Sequence, residues 1–84
     1  MYYIYVLLSE KDNMFYTGYT SDIEKRIEEH KKGKVYSTKN RLPVKLVYYE
    51  GSLSQDDALH REKYLKSTYG KRYLRNRLKH FLNQ

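Results

Sequence analysis

Two tyrosine-rich runs constrain the fold of this chain more than any other feature. They occupy residues 2–8 and 14–19 and flank the polar stretch SEKDN, which is typical of a tight turn. The pattern predicts a β-hairpin. A hairpin alone is only marginally stable in water, so a third strand is needed to complete a sheet. Residues 44–50, which are rich in valine and tyrosine, are predicted to supply it.

Three further segments carry helix signals, and we predict helices at about 22–31, 54–69 and 72–82. Ser21 and Glu24 have the spacing of a capping box at the start of the first helix. A glycine follows each of the first two segments, as is common where a helix ends.

The resulting order β-β-α-β-α-α predicts one α+β domain over residues 1–84, with a three-stranded antiparallel sheet flanked by three helices. Gly70 is expected to end the second helix. The 84 residues include no cysteine, which excludes disulfides, thiolate zinc sites and cysteine nucleophiles. No apolar run approaches the ~20 residues of a membrane span, and MYYIYVLL lacks the features of a signal peptide. We therefore expect no membrane association and a cytoplasmic location.

Charge is distributed unevenly along the chain. The formal net charge is +7, and no acidic residue follows Glu62. This balance favours a polyanionic partner, nucleic acid first and an anionic membrane second, over a lysine-rich surface that only aids solubility. Tyrosines between the basic positions also favour nucleic acid. The residues expected to bind its phosphates are Lys31, Lys32, Lys39, Arg41, Lys66, Lys71 and Arg75.

A carboxylate interrupts the apolar stripe predicted for the second helix. The stripe comprises Ala58, Leu59, Leu65 and Tyr69, and Glu62 lies at its centre. An ionised carboxylate is costly to bury alone, so it needs a cation, a metal ion or a cleft open to water. Helical position does not decide between a metal-binding role and an ion pair, either with Lys66 four residues on or with Arg26 across the fold.

Other polar groups converge on the predicted sheet. Arg26 and His30 share a face of the first helix. Taken singly, Arg26 is more simply interpreted as a snorkelling arginine, and His30 as a charge at the helix C-terminus. Tyr5 and Tyr16 lie in the two strands of the hairpin. With Glu62 they form a set suited to phosphodiester cleavage. It offers a carboxylate for Mg²⁺ or Mn²⁺, an arginine for phosphoryl charge and a tyrosine as general base.

The motifs YIY at 3–5 and YTG at 16–18 resemble the name-giving motif of the GIY-YIG endonuclease superfamily. Tyr3 replaces the first glycine and Thr17 the isoleucine, so the literal motif is weakened while its key tyrosines remain. SDIEKRIEEH resembles the family's arginine helix, ALHREKYLK its metal-binding glutamate helix, and RNRL offers a late asparagine. The matching positions are Tyr5, Tyr16, Arg26, His30, Glu62 and Asn76. The similarity covers essentially the whole chain and is greatest to small stand-alone bacterial members.

The resemblance implies a metal-dependent endonuclease with one Mg²⁺ or Mn²⁺ on Glu62. The family assigns general-base duty to one of the two tyrosines, and Tyr16 is narrowly preferred over Tyr5. Gly18 would keep the backbone low beside the phosphate. We expect DNA as substrate, weak sequence specificity, a role in DNA repair, and a monomer or weak homodimer. Two alternatives stay open: a catalytically weak nucleic-acid-binding module, and a nuclease subunit of a larger DNA repair or recombination complex.

Overall fold

Three antiparallel strands and four helical segments make up the chain. In the computed structural model, which describes all residues 1–84, the strands are β1 (Tyr2–Ser9), β2 (Phe15–Thr20) and β3 (Val44–Ser52). The helices are α1 (Ile23–Lys31), α2 (Gln55–Lys66), α3 (Thr68–Arg77) and the short α4 (Lys79–Leu82). The predicted α+β class and three-stranded antiparallel sheet are confirmed. None of the helices has the length and apolar character needed to cross a membrane.

The central strand β1 is buried on both of its faces. The sheet order is β2-β1-β3, and both pairings are antiparallel. Because side chains alternate along a strand, β1 contributes to two separate cores. The face covered by α2 and α3 contains Ile4, Val6, Ala58, Leu65 and Leu74. The face covered by α1 contains Tyr5, Leu7, Ile27 and Val44. These are called the α2–α3 face and the α1 face below.

The hairpin register decides which tyrosines share a face. Tyr5 is paired with Gly18, and Leu7 is paired with Tyr16. Directly paired residues point to the same side of a sheet, so Tyr5 and Tyr16 both lie on the α1 face. Their predicted placement on one face is confirmed. They are diagonal neighbours across the hairpin, however, and not an opposed pair.

The predicted boundary between the second and third helices is wrong. The break falls at Ser67, whose hydroxyl accepts the N–H of Gly70 and caps α3. Gly70 lies inside α3, where a Cβ would collide with the backbone of Tyr64 and Leu65. Glycine stands here because α2 and α3 approach closely, and not because a helix ends.

The predicted apolar stripe of the second helix is also wrong at two of its positions. Leu59 is 40% exposed, and Tyr69 belongs to α3 and is 70% exposed. Only Ala58 and Leu65 of the stripe are buried. The helical period cannot continue through the break at Ser67, so Tyr69 turns away from the core.

The start of α1 fixes the direction of two site residues. Its N-cap is Asp22 and not the predicted Ser21, and the Asp22 carboxylate accepts the Lys25 N–H at 3.2 Å. From this cap the helix turns His30 fully into the α1 face, while Arg26 remains partly exposed.

Candidate active site

Tyr5 reaches across the neighbouring strand because Gly18 has no side chain. The Tyr5 residue is only 1% exposed. A Cβ at Gly18 would overlap the ring Cζ and the hydroxyl of Tyr5. The ring therefore lies over the backbone of β2, the edge strand that also carries Tyr16. Gly18 makes room for a tyrosine, and its predicted place beside a phosphate stays a prediction.

A hydrogen-bonded chain anchors the Tyr5 hydroxyl. The His30 Nε2 atom lies 2.8 Å from the Tyr5 hydroxyl, and its Nδ1 atom lies 2.7 Å from the Thr38 hydroxyl. Burial and the nearby Arg26 charge lower the pKa of His30 to about 4. The ring is therefore neutral near pH 7, donating through one nitrogen and accepting at the other. The simple alternative of a charged histidine at a helix C-terminus is wrong.

Thr38 is a site residue that the sequence did not indicate. It is fully buried in the segment between α1 and β3. That segment is polar and basic and has no periodic pattern, so nothing in the sequence marks one of its hydroxyls as a partner for His30. Only the contact across the fold reveals it.

The two tyrosines differ in exposure. Tyr16 is partly exposed, and its ring centre lies 6.5 Å from that of Tyr5 and 5.3 Å from that of His30. Burial raises the pKa of Tyr5, and the opposing effect of Arg26 does not cancel it. A buried phenol held protonated is a poor general base. This difference favours Tyr16 as the base and Tyr5 as a positioning group.

Arg26 places a positive charge beside the Tyr5 hydroxyl. The Tyr5 hydroxyl and then the Glu29 carboxylate raise the pKa of Arg26. Its Nη1 atom lies 3.2 Å from the Glu29 carboxylate, and the two side chains are 38% and 35% exposed. A pair this open to water holds its charges weakly. The guanidinium therefore stays available to an incoming phosphate.

Glu62 lies near the same cluster, with Lys66 as its partner. Its carboxylate is 3.1 Å from the Lys66 Nζ atom, so the ion pair considered from the sequence is present. Arg26 is not its partner. The Glu62 side chain is 18% exposed and that of Lys66 is 53% exposed. The Glu62 charge also acts on Tyr5, whose pKa it raises. Glu62 is thus shielded but close to the tyrosines.

Asn76 does not join this cluster. It is exposed on α3, and no side-chain hydrogen bond connects it to Tyr5, Tyr16, Arg26 or Glu62. It lies two positions after the buried Leu74, about 200° around the helix and therefore on its far side. Its catalytic role stays a prediction that the geometry does not support.

The predicted phosphate-binding residues divide into two groups. Lys66 and Lys71 line a cavity of about 260 Å³ beside Tyr16, and Arg75 stacks on Phe15 with its guanidinium 4.8 Å from the ring centre. The other four lie on α1 or in the segment after it and interact elsewhere. Lys31 borders a groove beside β3, Lys32 pairs with Glu28, Lys39 stacks on Tyr36, and Arg41 pairs with Asp12 at 3.0 Å.

The fold gathers four further side chains around Tyr5, namely Tyr16, Arg26, His30 and Glu62. This arrangement defines a nuclease domain of the GIY-YIG type. The family model described as the GIY-YIG catalytic domain matches residues 1–79, and the chain belongs to this family. No solved structure gives a significant match.

Similar proteins carry names that state no activity. A UPF0213 protein of Staphylococcus haemolyticus is 45% identical over 67 residues, which cover 79% of this chain and 80% of that protein. One from Clostridium perfringens is 45% identical over 79% of this chain and 71% of its own length. One from Haloquadratum walsbyi is 43% identical, over 77% and 75%. The resemblance to small stand-alone members of the family is confirmed.

Proposed function

We propose that this chain is a metal-dependent endonuclease that hydrolyses phosphodiester bonds in nucleic acid, with DNA as the expected substrate. The observation that carries the proposal is the anchored Tyr5. Gly18 makes room for it, His30 fixes its hydroxyl, and Arg26 and Tyr16 lie beside it. A tyrosine that only packs needs room for its ring and one partner for its hydroxyl, but not an arginine and a second tyrosine beside it.

The residues divide the chemistry among them. Arg26 stabilises the negative charge that develops on the phosphoryl oxygens. Tyr16, the more exposed of the two tyrosines, accepts a proton from the attacking water. Tyr5, buried and held by His30, positions the Arg26 side chain through its hydroxyl. The neutral His30 adds no charge that would compete with Arg26 for the phosphate.

The donor set is compatible with one Mg²⁺ or Mn²⁺ ion. No group of three or more histidine and carboxylate side chains converges anywhere in the structure. Mg²⁺ does not need such a group, because it keeps several waters and binds through one or two carboxylates plus substrate phosphates. Glu62 would provide the protein carboxylate. The ion would supply polarisation of the phosphate and stabilisation of the leaving oxygen.

Substrate choice is expected to rest on the phosphate backbone. The residues lining the cleft beside Tyr16 are aromatic, hydroxyl and lysine side chains, with no set aimed at base edges. Phosphate contacts position a protein on nucleic acid without reading sequence. We therefore propose low sequence specificity, in a monomer or weak homodimer, with DNA repair as the expected setting.

One observation favours the alternative of a nucleic-acid-binding module with little catalytic activity. Glu62 already has Lys66 as a partner, and a cation held there would oppose metal binding. The same alternative covers a subunit that acts only within a larger repair or recombination complex. The two functions differ in whether the chain cleaves by itself.

Plasmid nicking decides between them. Wild-type protein is incubated with supercoiled plasmid and Mg²⁺ or Mn²⁺, and a parallel sample contains EDTA. We expect nicking that EDTA abolishes. Arg26→Ala should abolish it as well, while Tyr49→Phe, a change at an exposed tyrosine of β3, should retain it. Plasmid binding without nicking under any metal would favour the binding module.

A further inference from the structure

A second basic cavity lies on the opposite side of the sheet from Tyr5. It measures about 470 Å³, within the range of ligand pockets, and its lining includes no acidic residue. The polar and aromatic side chains in it are Asn13, Lys45, Arg75, Lys79, Phe81 and Asn83. We call it the Phe81 cavity. It lies at the turn end of the hairpin, where α4 covers Leu8 of β1.

The cations of this cavity are largely unneutralised. Arg75 and Lys79 have no carboxylate within ion-pair distance. Lys45 lies 3.6 Å from Glu10, but both side chains are about half exposed. The Lys45 Nζ atom also lies 5.2 Å from the centre of the Phe81 ring, which is itself 37% exposed. A partly exposed aromatic ring beside two unpaired cations and one weakly paired cation is the composition of a nucleotide-binding surface.

A row of basic residues lies between this cavity and the candidate active site. Phe15 and Tyr16 are neighbours on the edge strand β2 and therefore point to opposite faces. Tyr16 lies at the active site, while Phe15 carries the Arg75 guanidinium on its ring. Lys66 and Lys71 line the small cavity between the two faces. Cations thus follow the edge of β2 from Tyr16 to the Phe81 cavity.

We propose that a single strand of nucleic acid leaving the candidate active site passes around the β2 edge and places one nucleotide in the Phe81 cavity. Its base contacts the Phe81 ring, and its phosphates lie against Arg75 and Lys79. The cavity contains a single aromatic ring, which one base can contact. A base of a single strand is free to turn toward this ring, whereas the bases of a duplex are paired and stacked and cannot reach it. The proposal rests on the proposed function and extends it to the path of the substrate.

The test is binding in EDTA of two single-stranded oligonucleotides of about 12 residues, a length within the usual site sizes. One is oligothymidine, and the other is an abasic strand with the same phosphates. Fluorescence anisotropy gives the dissociation constants. Phe81→Leu keeps an apolar side chain without the ring, Lys79→Gln removes one cation, and Lys34→Gln is the control because Lys34 is exposed and outside the cavity.

Phe81→Leu should weaken oligothymidine binding about tenfold and leave the abasic strand unchanged. Lys79→Gln should weaken both strands and reduce the log–log salt slope by about 0.7. Lys34→Gln should change neither. Equal effects of Phe81→Leu on both strands, no effect on either, or no binding by folded wild-type protein would overturn the proposal. Plasmid nicking by the same wild-type protein tests the proposed function separately, because it requires no occupant of this cavity.

Discussion

Two tyrosine clusters on opposite faces of the sheet show how this chain separates stability from chemistry. On the α2–α3 face the Tyr48 hydroxyl donates to Glu50 at 2.7 Å. Arg61 donates two hydrogen bonds to the same carboxylate, each at 2.9 Å. Burial, and then the Tyr73 hydroxyl and Glu50, raise the pKa of Tyr48. Although burial opposes it, hydrogen bonds from Arg61 and Tyr48 lower the pKa of Glu50.

The Tyr5 cluster leaves its charges open instead. Tyr5 and His30 are neutral and buried. The charged partner of Arg26 is Glu29 and that of Glu62 is Lys66, and both partners are open to water. Both clusters combine a tyrosine with a carboxylate and an arginine, so composition does not distinguish them. The distinction lies in how the arginine is held: Arg61 makes two hydrogen bonds of 2.9 Å to Glu50, whereas Arg26 makes one of 3.2 Å to Glu29. A cluster whose charges are all firmly hydrogen-bonded stabilises the fold, whereas a cluster with weakly paired charges can bind phosphate.

The largest effect expected from this comparison concerns Tyr16. Tyr16→Phe removes the proposed general base, and nicking should fall by about 10²–10⁴-fold with an unchanged melting temperature. Tyr48→Phe is the matched control, since it removes the hydrogen bonds to Glu50 and Tyr73 at a cost of about 1 kcal/mol each and should leave nicking intact. Both are measured on supercoiled plasmid with Mg²⁺. Equal nicking by the two variants would remove the distinction between the clusters.

The next effect concerns acid and His30. The pKa of His30 is about 4 in the folded chain and about 6.5 when unfolded, so between these values the unfolded state binds the extra proton. The free energy of unfolding should therefore fall by about 3 kcal/mol from pH 6.5 to 4. Arg26 contributes to the lowered pKa and Glu29 opposes it.

Urea unfolding at several pH values measures this effect. His30→Gln can still donate and accept hydrogen bonds but does not titrate, so its stability should change less over the same range. If both proteins lost stability equally between pH 6.5 and 4, the neutral buried histidine would not be the cause.

A smaller effect is expected at Arg61. Arg61→Met keeps the length of the side chain but leaves Glu50 with Tyr48 alone. The Arg61 and Glu50 side chains are 34% and 24% exposed, so water compensates in part and we expect a loss of about 1–3 kcal/mol. Thermal melting should show a fall of about 4–8 °C per kcal/mol. Nicking at low temperature should be retained, and its loss there would assign this cluster a catalytic role.

The smallest effect is expected at Lys66. Its pair with Glu62 joins residues four apart on an exposed helix surface, which contributes about 0.3–0.5 kcal/mol. Lys66→Gln should therefore barely move the melting temperature. A loss of several kcal/mol would show that Glu62 depends on this lysine and is a structural residue.

The fold was largely predictable because its signals are local. The alternating strands around SEKDN and the third β-rich run gave the sheet, and strand parity put Tyr5 and Tyr16 on one face. Arg26 and Glu62 joined them through the resemblance to the family motifs, because helical position alone left their roles open. The break at Ser67 was missed because Gly70 looks in sequence like a helix end. The actual reason for a glycine at position 70 is the close approach of α2 and α3, which depends on tertiary packing.

The anchoring of Tyr5 was not predictable for the same reason. Gly18 is explained by a ring on the paired strand, and Thr38 is explained by a histidine eight residues before it. Neither relation has a fixed spacing that a motif could record. The Tyr48 cluster was missed because its residues look like ordinary strand and helix surface positions.

Glu62→Gln tests the central claim that the Tyr5 cluster holds open charges for catalysis. Plasmid nicking with Mg²⁺ is measured on a preparation whose melting temperature and EDTA-condition DNA binding are also recorded. We expect nicking to vanish, the melting temperature to stay level or rise slightly, and DNA binding to persist or tighten because a repulsive charge is gone. A well-folded Glu62→Gln protein that nicks at the wild-type rate would rule out a catalytic role for Glu62.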